Sequence, residues 1–392
     1  MDKVTEQFKV IKEMSDSNDK EVKLDQLLNQ VETLSKSEPE TLFIQAEILE
    51  VLAKSKKSNP ILEISIRSYK EVLIRGNEVS DDLFRKAGQK CIELMKFRGW
   101  NSQAIRIWQM LILRFDQDLE LRHQLGVTYL TIGNNQAAKE VFEKLLEIDP
   151  EDYYANAHLG FILKSEALES KNDEKLRYAV ELIEKGIRNE PLEEGSKKLE
   201  GLFYFHLGDS LRRLGDTAHA DQVYQLAADR KIFPSFWQRS LYNEPDLKAQ
   251  PVWSLKESGI GVQLQKIKDH WKAIREEALK VYDDKNGGFK DESENLQDTG
   301  YWAQFELFVQ GRKKNAHCAK APLTCALIEA IPEVKTNRRG QVKFSVMKSG
   351  THVHAHSGPT NCRLRAHLGK LFFFFFFLMK LNFHDLYRFT YS

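Results

Sequence analysis

The sequence predicts a multidomain α + β chain, a helical solenoid over residues 1–235 followed by a smaller domain that begins α and ends β. Three observations predict it. Small and large residues recur at a fixed interval through the first part. Three prolines and several aromatics then break the pattern in "IFPSFWQRSLYNEPDLKAQPVWS". Beyond the break, apolar residues fall at every second position, the period of a strand.

The helical part comes first. Gly99, Ala104, Trp108 and Leu111 are matched 34 residues later by Gly133, Ala138, Phe142 and Leu145. With Leu125, Gly126, Tyr129 and Pro150, the second set fits the tetratricopeptide pattern. Further copies carry Leu159, Gly160, Ala179, Ile183, Gly186 and Pro191, then Leu207, Gly208, Leu211, Gly215, Ala220, Tyr224 and Ala227. Gly and Ala sit where two helices touch closely, an aromatic fills the space one turn away, and Pro ends the second helix because it lacks an amide to donate. One such hairpin cannot bury its own apolar face, so consecutive hairpins stack into a superhelix. More degenerate hairpins are expected over residues 20–80. Such a solenoid binds peptides or orients a neighbour and does no chemistry itself.

After Pro234 an extended linker is expected, then one helix at about 259–282 with Val262, Ile267, Trp271, Ile274, Leu279 and Tyr282 as its apolar stripe. "DDKNGGFKDESENLQDTG" reads as a polar loop. "YWAQFELFVQG", "GQVKFSVMKSG", "THVHAH" and "CRLRAHLG" read as strands.

Composition narrows the classes. The 392 residues, 42% hydrophobic and 29% charged, describe a globular chain with room for two or three domains. The formal net charge is +1, and no nucleic-acid partner is expected. From Lys335 to Lys370, however, there are eight Lys or Arg and no Asp or Glu, which suits an anionic ligand as well as a solvated basic face. The charged N-terminus lacks an apolar signal region, and no run of about 18 apolar residues is present, so no membrane span is expected. Cys318 and Cys325 are close enough in sequence to close a small loop, given an oxidising compartment.

The chemistry is expected near the C-terminus. His352, His354 and His356 stand at alternate positions, as do Arg363, Arg365 and His367. Alternate histidines on a strand face could hold iron or zinc, and a buried arginine needs an anion, which a carboxylate meets bidentately. A zinc site on the three histidines would leave Arg365 without a role. A polar outer sheet face accounts for the same spacing.

"PVWS", "GRKKNAHCAKAPLTC" and "RRGQVKFSVMKSGTHVHAHSGPTNCRLRAHLG" closely resemble the aspartyl/asparaginyl β-hydroxylases, over roughly residues 20–370. The resemblance implies an Fe(II)- and 2-oxoglutarate-dependent dioxygenase that uses O₂ to hydroxylate Asp and Asn in epidermal-growth-factor-like domains. It implies a tetratricopeptide region followed by a double-stranded β-helix (jelly-roll), here incomplete, over residues 236–370. His356 matches the first iron-binding histidine. Ser345, Arg365 and His367 match the 2-oxoglutarate-binding residues, Arg365 taking the distal carboxylate. Gly358 stands where most such oxygenases have an iron-binding carboxylate, and the family shares that glycine. Cys318 and Cys325 match a pair that family members join. His352 also matches, whereas His354 replaces a tryptophan. An endoplasmic-reticulum anchor with a lumenal catalytic domain is implied as well, though none is visible in the sequence.

The resemblance stops at Lys370. The family's second iron-binding histidine lies further on, and here "LFFFFFFLMKLNFHDLYRFTYS" follows, so residues 371–392 read as an aberrant Phe-rich tail in which His384 is a formal replacement. Loss of the closing strands would expose sheet edges. The alternative function is a non-catalytic, peptide-binding helical-repeat protein.

Overall fold

A glycine on one helix and a ring on the next set the spacing of the helical part. In the computed structural model, a Cβ placed on Gly126 would lie 2.6 Å from the Phe142 ring, so no larger residue fits that crossing. The structure describes residues 2–15, 17–34, 38–191, 193, 199–244, 246–247, 252–283, 288–292, 296–337, 340–354, 356, 358, 360–370 and 373–379. Its contacts divide the chain into two units, Met1–Ser196 and Lys197–Ser392.

The first unit is helical. Its α-helices are α1 (Asp2–Lys12), α2 (Asn18–Thr33), α3 (Pro39–Ser55), α4 (Asn59–Ile74), α5 (Asp81–Phe97), α6 (Asn101–Arg114), α7 (Leu119–Thr131), α8 (Asn135–Ile148), α9 (Tyr153–Ser170) and α10 (Asp173–Arg188). Consecutive helices pack on one another, as short connections require. The turns repeat one device. Gly133 leaves α7 at φ 76°, a left-handed position that favours glycine, and Asn134 caps α8 by accepting from the Ala137 amide at 3.1 Å. The core residues named from the repeat are buried: Ala104, Leu111, Ala138, Phe142 and Ile183 are fully enclosed.

One buried polar link crosses the repeats. His123 on α7 places Nε2 2.7 Å from Asp152, which caps α9, and Nδ1 3.1 Å from Glu120. Burial opposes the charged ring, but the hydrogen bonds with Asp152 and Glu120 outweigh it and raise the pKa above its usual 6.5. A raised pKa in the folded state means stability that is complete below pH 6.5 and lost as pH rises through the folded value. Unfolding midpoints measured from pH 6 to pH 8 are therefore expected to fall, and His123→Gln to flatten that slope.

The second unit opens with a last helical hairpin, α11 (Gly201–Arg213) and α12 (Thr217–Asp229). The helix expected at 259–282 is two, α13 (Gly261–Asp269) and α14 (Trp271–Asp283), parted at His270. There the imidazole Nδ1 sits 2.8 Å from the Lys266 carbonyl and competes with the helical ladder. The strands are β1 (Lys290–Asp291), β2 (Gln297–Thr299), β3 (Trp302–Val309), β4 (Arg312–Lys313), β5 (Gln341–Met347), β6 (His352–Val353), β7 (Leu364–Lys370) and β8 (Phe373–Met379), with short helices α15 (Asn315–Lys320), α16 (Pro322–Glu329) and α17 (Pro332–Thr336) between β4 and β5.

One antiparallel sheet runs β1-β3-β5-β8-β7 with β4 beside β3, and β2 pairs β6 separately. Its apolar face, with Phe305, Val342 and Phe344, packs on Ile267, Ile274, Cys325 and Ile328 from the helices. Glu277 of α14 pins α16 by accepting from the Leu323 and Thr324 amides at 2.8 and 2.9 Å.

Two expectations change. "THVHAH" is not a six-residue strand: β6 stops at Val353, so His352, His354 and His356 do not line one strand face. And the Phe-rich residues, expected only as an unrelated tail, form β8 between β5 and β7, while β7 is left as an edge of the sheet. His384 lies outside the described residues.

Candidate functional site

The register of β5, β8 and β7 sets the expected cosubstrate residues on one face, with β8 between Ser345 and Arg365. Lys343 is level with Phe376, and Phe376 with His367; Ser345 is level with Phe374, and Phe374 with Gly369. Directly opposed residues in an antiparallel sheet share a face. Lys343, Ser345, Arg365 and His367 therefore stand on one face, opposite the face that packs on the helices.

Around Ser345 this face is enclosed. Ser345 is 1% exposed, and its Oγ accepts a 2.8 Å hydrogen bond from Trp302 Nε1 on β3. Beside it, buried Lys343 donates its ammonium to the Gln304 side chain. His367 keeps part of its surface in solvent, yet crowding by its surroundings and then the Arg365 charge lower its pKa to about 4, so it is neutral at pH 7. The face thus offers a fixed cation at Arg365, a second at Lys343, an oriented hydroxyl and a neutral imidazole. Groups of these types can bind carboxylates.

The histidines divide into two kinds. His356 Nδ1 lies 2.8 Å from the His354 main-chain oxygen. A carbonyl can only accept, so Nδ1 carries the hydrogen and Nε2 presents its lone pair, the arrangement of a metal-binding imidazole. His352 and His354 turn to Asp298 instead, at 2.9 and 3.7 Å. His354 is also crowded by burial and faces the Arg213 charge of α11, both of which lower its pKa. Among the described residues no group of three or more His, Cys, Asp or Glu side chains is arranged to hold a metal. The zinc site on three histidines is accordingly not formed.

Cys318 and Cys325 are bonded, with Cα atoms 5.7 Å apart, and tie α15 to α16 behind the sheet. A loop of this size stabilises by about 2–3 kcal/mol through the unfolded chain. Urea unfolding of the Cys318→Ser/Cys325→Ser form is expected to show that loss in the second unit.

Trp302, Lys343 and Asp298 were missed by sequence reasoning. The signal for the first two was the strand period itself: both share the parity of their strand's polar face, Gln304 on β3 and Ser345 on β5.

The sequence comparisons bear on this arrangement. The aspartyl/asparaginyl beta-hydroxylase family pattern matches residues 268–370, and the tetratricopeptide repeat pattern matches 119–152 and 203–231. An aspartyl/asparaginyl beta-hydroxylase from Homo sapiens is 41% identical over 331 residues, 84% of this chain and 42% of that protein. Its counterpart from Mus musculus is 40% identical over 350 residues, 88% of this chain and 46% of that protein.

The chain belongs to the aspartyl/asparaginyl β-hydroxylase family.

It spans less than half the length of these two β-hydroxylases. The β-hydroxylase match includes β3, β5 and β7, so Ser345, Arg365, His367 and His356 all lie within it. The tetratricopeptide protein YrrB, described as having an unusual peptide-binding site, superposes with a TM-score of 0.35 at 13% identity, over 52% of this chain and 91% of that one. A likeness at that score carries no argument.

Proposed function

We propose that this chain is the helical-repeat and partial catalytic region of an Fe(II)- and 2-oxoglutarate-dependent dioxygenase that hydroxylates the β-carbon of Asp or Asn in epidermal-growth-factor-like domains. One observation carries the reading: residues 268–370, which set Ser345, Arg365 and His367 on one sheet face, match the β-hydroxylase family.

In this reading Arg365 pairs with the distal carboxylate of 2-oxoglutarate, Ser345 donates its hydroxyl hydrogen to the same ligand, and Trp302 orients that hydroxyl. Lys343 adds positive charge beside them. His367, being neutral, bonds without adding charge. Iron with its cosubstrate supplies the oxidation when bound. The dicarboxylate fits these donors. His356 would be one ligand to the metal, and among the described residues no group of three or more His, Cys, Asp or Glu side chains stands ready to complete the site. The two sheets would be part of a double-stranded β-helix. The Cys318–Cys325 bond suits an oxidising compartment such as the endoplasmic-reticulum lumen. No described helix is long and apolar enough to cross a membrane.

The second reading, a non-catalytic repeat protein, is favoured by the tetratricopeptide matches at residues 119–152 and 203–231. Decarboxylation of 2-oxoglutarate coupled to hydroxylation of an epidermal-growth-factor-like peptide separates the two. Residues 1–392 are expected to be inactive, and a form continuing from Leu368 into a family segment with a second histidine to turn over. Activity in 1–392 would mean that its own tail, through His384, completes the site. Inactivity in both would leave the second reading standing.

A further inference from the structure

The segment that follows α12 and the turn that precedes β7 hold each other across 117 residues of sequence. The Asn361 carboxamide engages Glu244 as a neighbouring strand would. Its Oδ1 accepts from the Glu244 amide at 2.8 Å, and its Nδ2 donates to the Glu244 carbonyl at 2.9 Å. Tyr242 and Thr360 form an isolated parallel bridge alongside. Thr360 and Asn361 are both buried, and the Thr360 hydroxyl accepts from the Cys362 amide at 3.1 Å, which stiffens the turn.

The other end of the segment is fastened to the helical hairpin. Arg239 is buried with its guanidinium 4.2 Å from the Tyr224 ring centroid of α12. Ser240 and Asn243 bond to each other, closing the segment between the two anchors. A continuous chain of contacts therefore runs from α12 through Arg239 and Glu244 to Asn361.

The position of Asn361 gives this chain of contacts a use. It stands five residues after His356 and four before Arg365, between the imidazole prepared for a metal and the guanidinium prepared for a carboxylate. A side chain whose two polar ends both bond to backbone fixes direction as well as distance, because neither end can rotate away without leaving a buried group unsatisfied.

We propose that Asn361 is a positioning residue. By clamping Glu244 it sets the placement of Arg365 relative to His356 and couples the cosubstrate face to the last helical hairpin. This rests on the cosubstrate reading of Arg365 and deepens it.

The full 392-residue chain tests it with two measurements on Asn361→Ala and Asn361→Asp. Aspartate keeps an acceptor for the Glu244 amide but sets an oxygen against the Glu244 carbonyl. Amide hydrogen exchange over Tyr242–Glu244 and Thr360–His367 is expected to speed up about tenfold in both variants, the factor one lost part-buried hydrogen bond carries, with α3–α10 unchanged. Titration with 2-oxoglutarate alone is expected to show about tenfold weaker binding at an unchanged unfolding midpoint of the helical unit. Glu244→Ala, which keeps both backbone groups and loses only the carboxylate that accepts from the Tyr242 hydroxyl, should match the parent chain in 2-oxoglutarate affinity and in exchange over Thr360–His367.

Unchanged exchange in Asn361→Ala would overturn the clamp. Faster exchange with unchanged 2-oxoglutarate affinity would overturn the positioning role and leave a structural tie. If the parent chain binds no 2-oxoglutarate, the cosubstrate reading falls and the positioning role with it, while exchange still decides the clamp.

Discussion

Arg365→Ala is expected to lower 2-oxoglutarate turnover by two to three decades or more, in a form whose second histidine segment is present. A carboxylate brought to that sheet face without its guanidinium is a buried anion left unpaired, which costs about 3–5 kcal/mol. His354→Ala is the informative contrast. The group that orients His356 is the main-chain oxygen of residue 354, and alanine keeps it. Its imidazole is engaged with Asp298 rather than with His356. Turnover should therefore stay within a few fold. Comparable losses in both variants would mean that the His354 ring takes part in the site, and the division of the histidines into two kinds would be wrong.

Phe142→Ala is expected to cost about 3–5 kcal/mol of the stability of the helical unit. The ring is fully buried, closes against Gly126 on α7, and stacks on His158 at a centroid distance of 4.9 Å. Removing it opens a cavity between consecutive helices that their backbones cannot collapse to fill. For a unit of this size the thermal midpoint should fall by about 10 °C. Leu113→Ala, at a position 86% exposed on α6, should change it by less than about 0.5 kcal/mol. Equal effects at the two positions would contradict the assignment of Phe142 to the repeat core.

What could be read beforehand followed periodicity. The glycine and aromatic positions of the repeat are set by contacts between helices adjacent in sequence, so a regular interval records them. The strands β3, β5 and β7 were legible for the same reason, because alternation is local. Ser345, Arg365 and His367 came from family resemblance, and the register of β5, β8 and β7 places them on one face. What stayed hidden depends on pairings that no interval encodes. Trp302 meets Ser345 across 43 residues, Asp298 meets His352 across 54, and Asn361 meets Glu244 across 117. The histidine run misled for a related reason. Alternation fits a strand, but the His356 ring bonds back to its own backbone two residues earlier, which a continuing strand does not allow.

The last helical hairpin is claimed twice. By sequence it is a repeat, matched at residues 203–231; by contacts it belongs with the C-terminal unit, which begins at Lys197. This matters for any chimaera made between relatives. A graft joined at residue 236, where the repeats end, pairs one parent's Arg239 with the other parent's Tyr224, and both side chains must then suit a partner they did not arise beside. A graft joined near residue 197 carries ring and guanidinium across together. The natural seam for exchanging catalytic halves is thus one hairpin earlier than the end of the repeats.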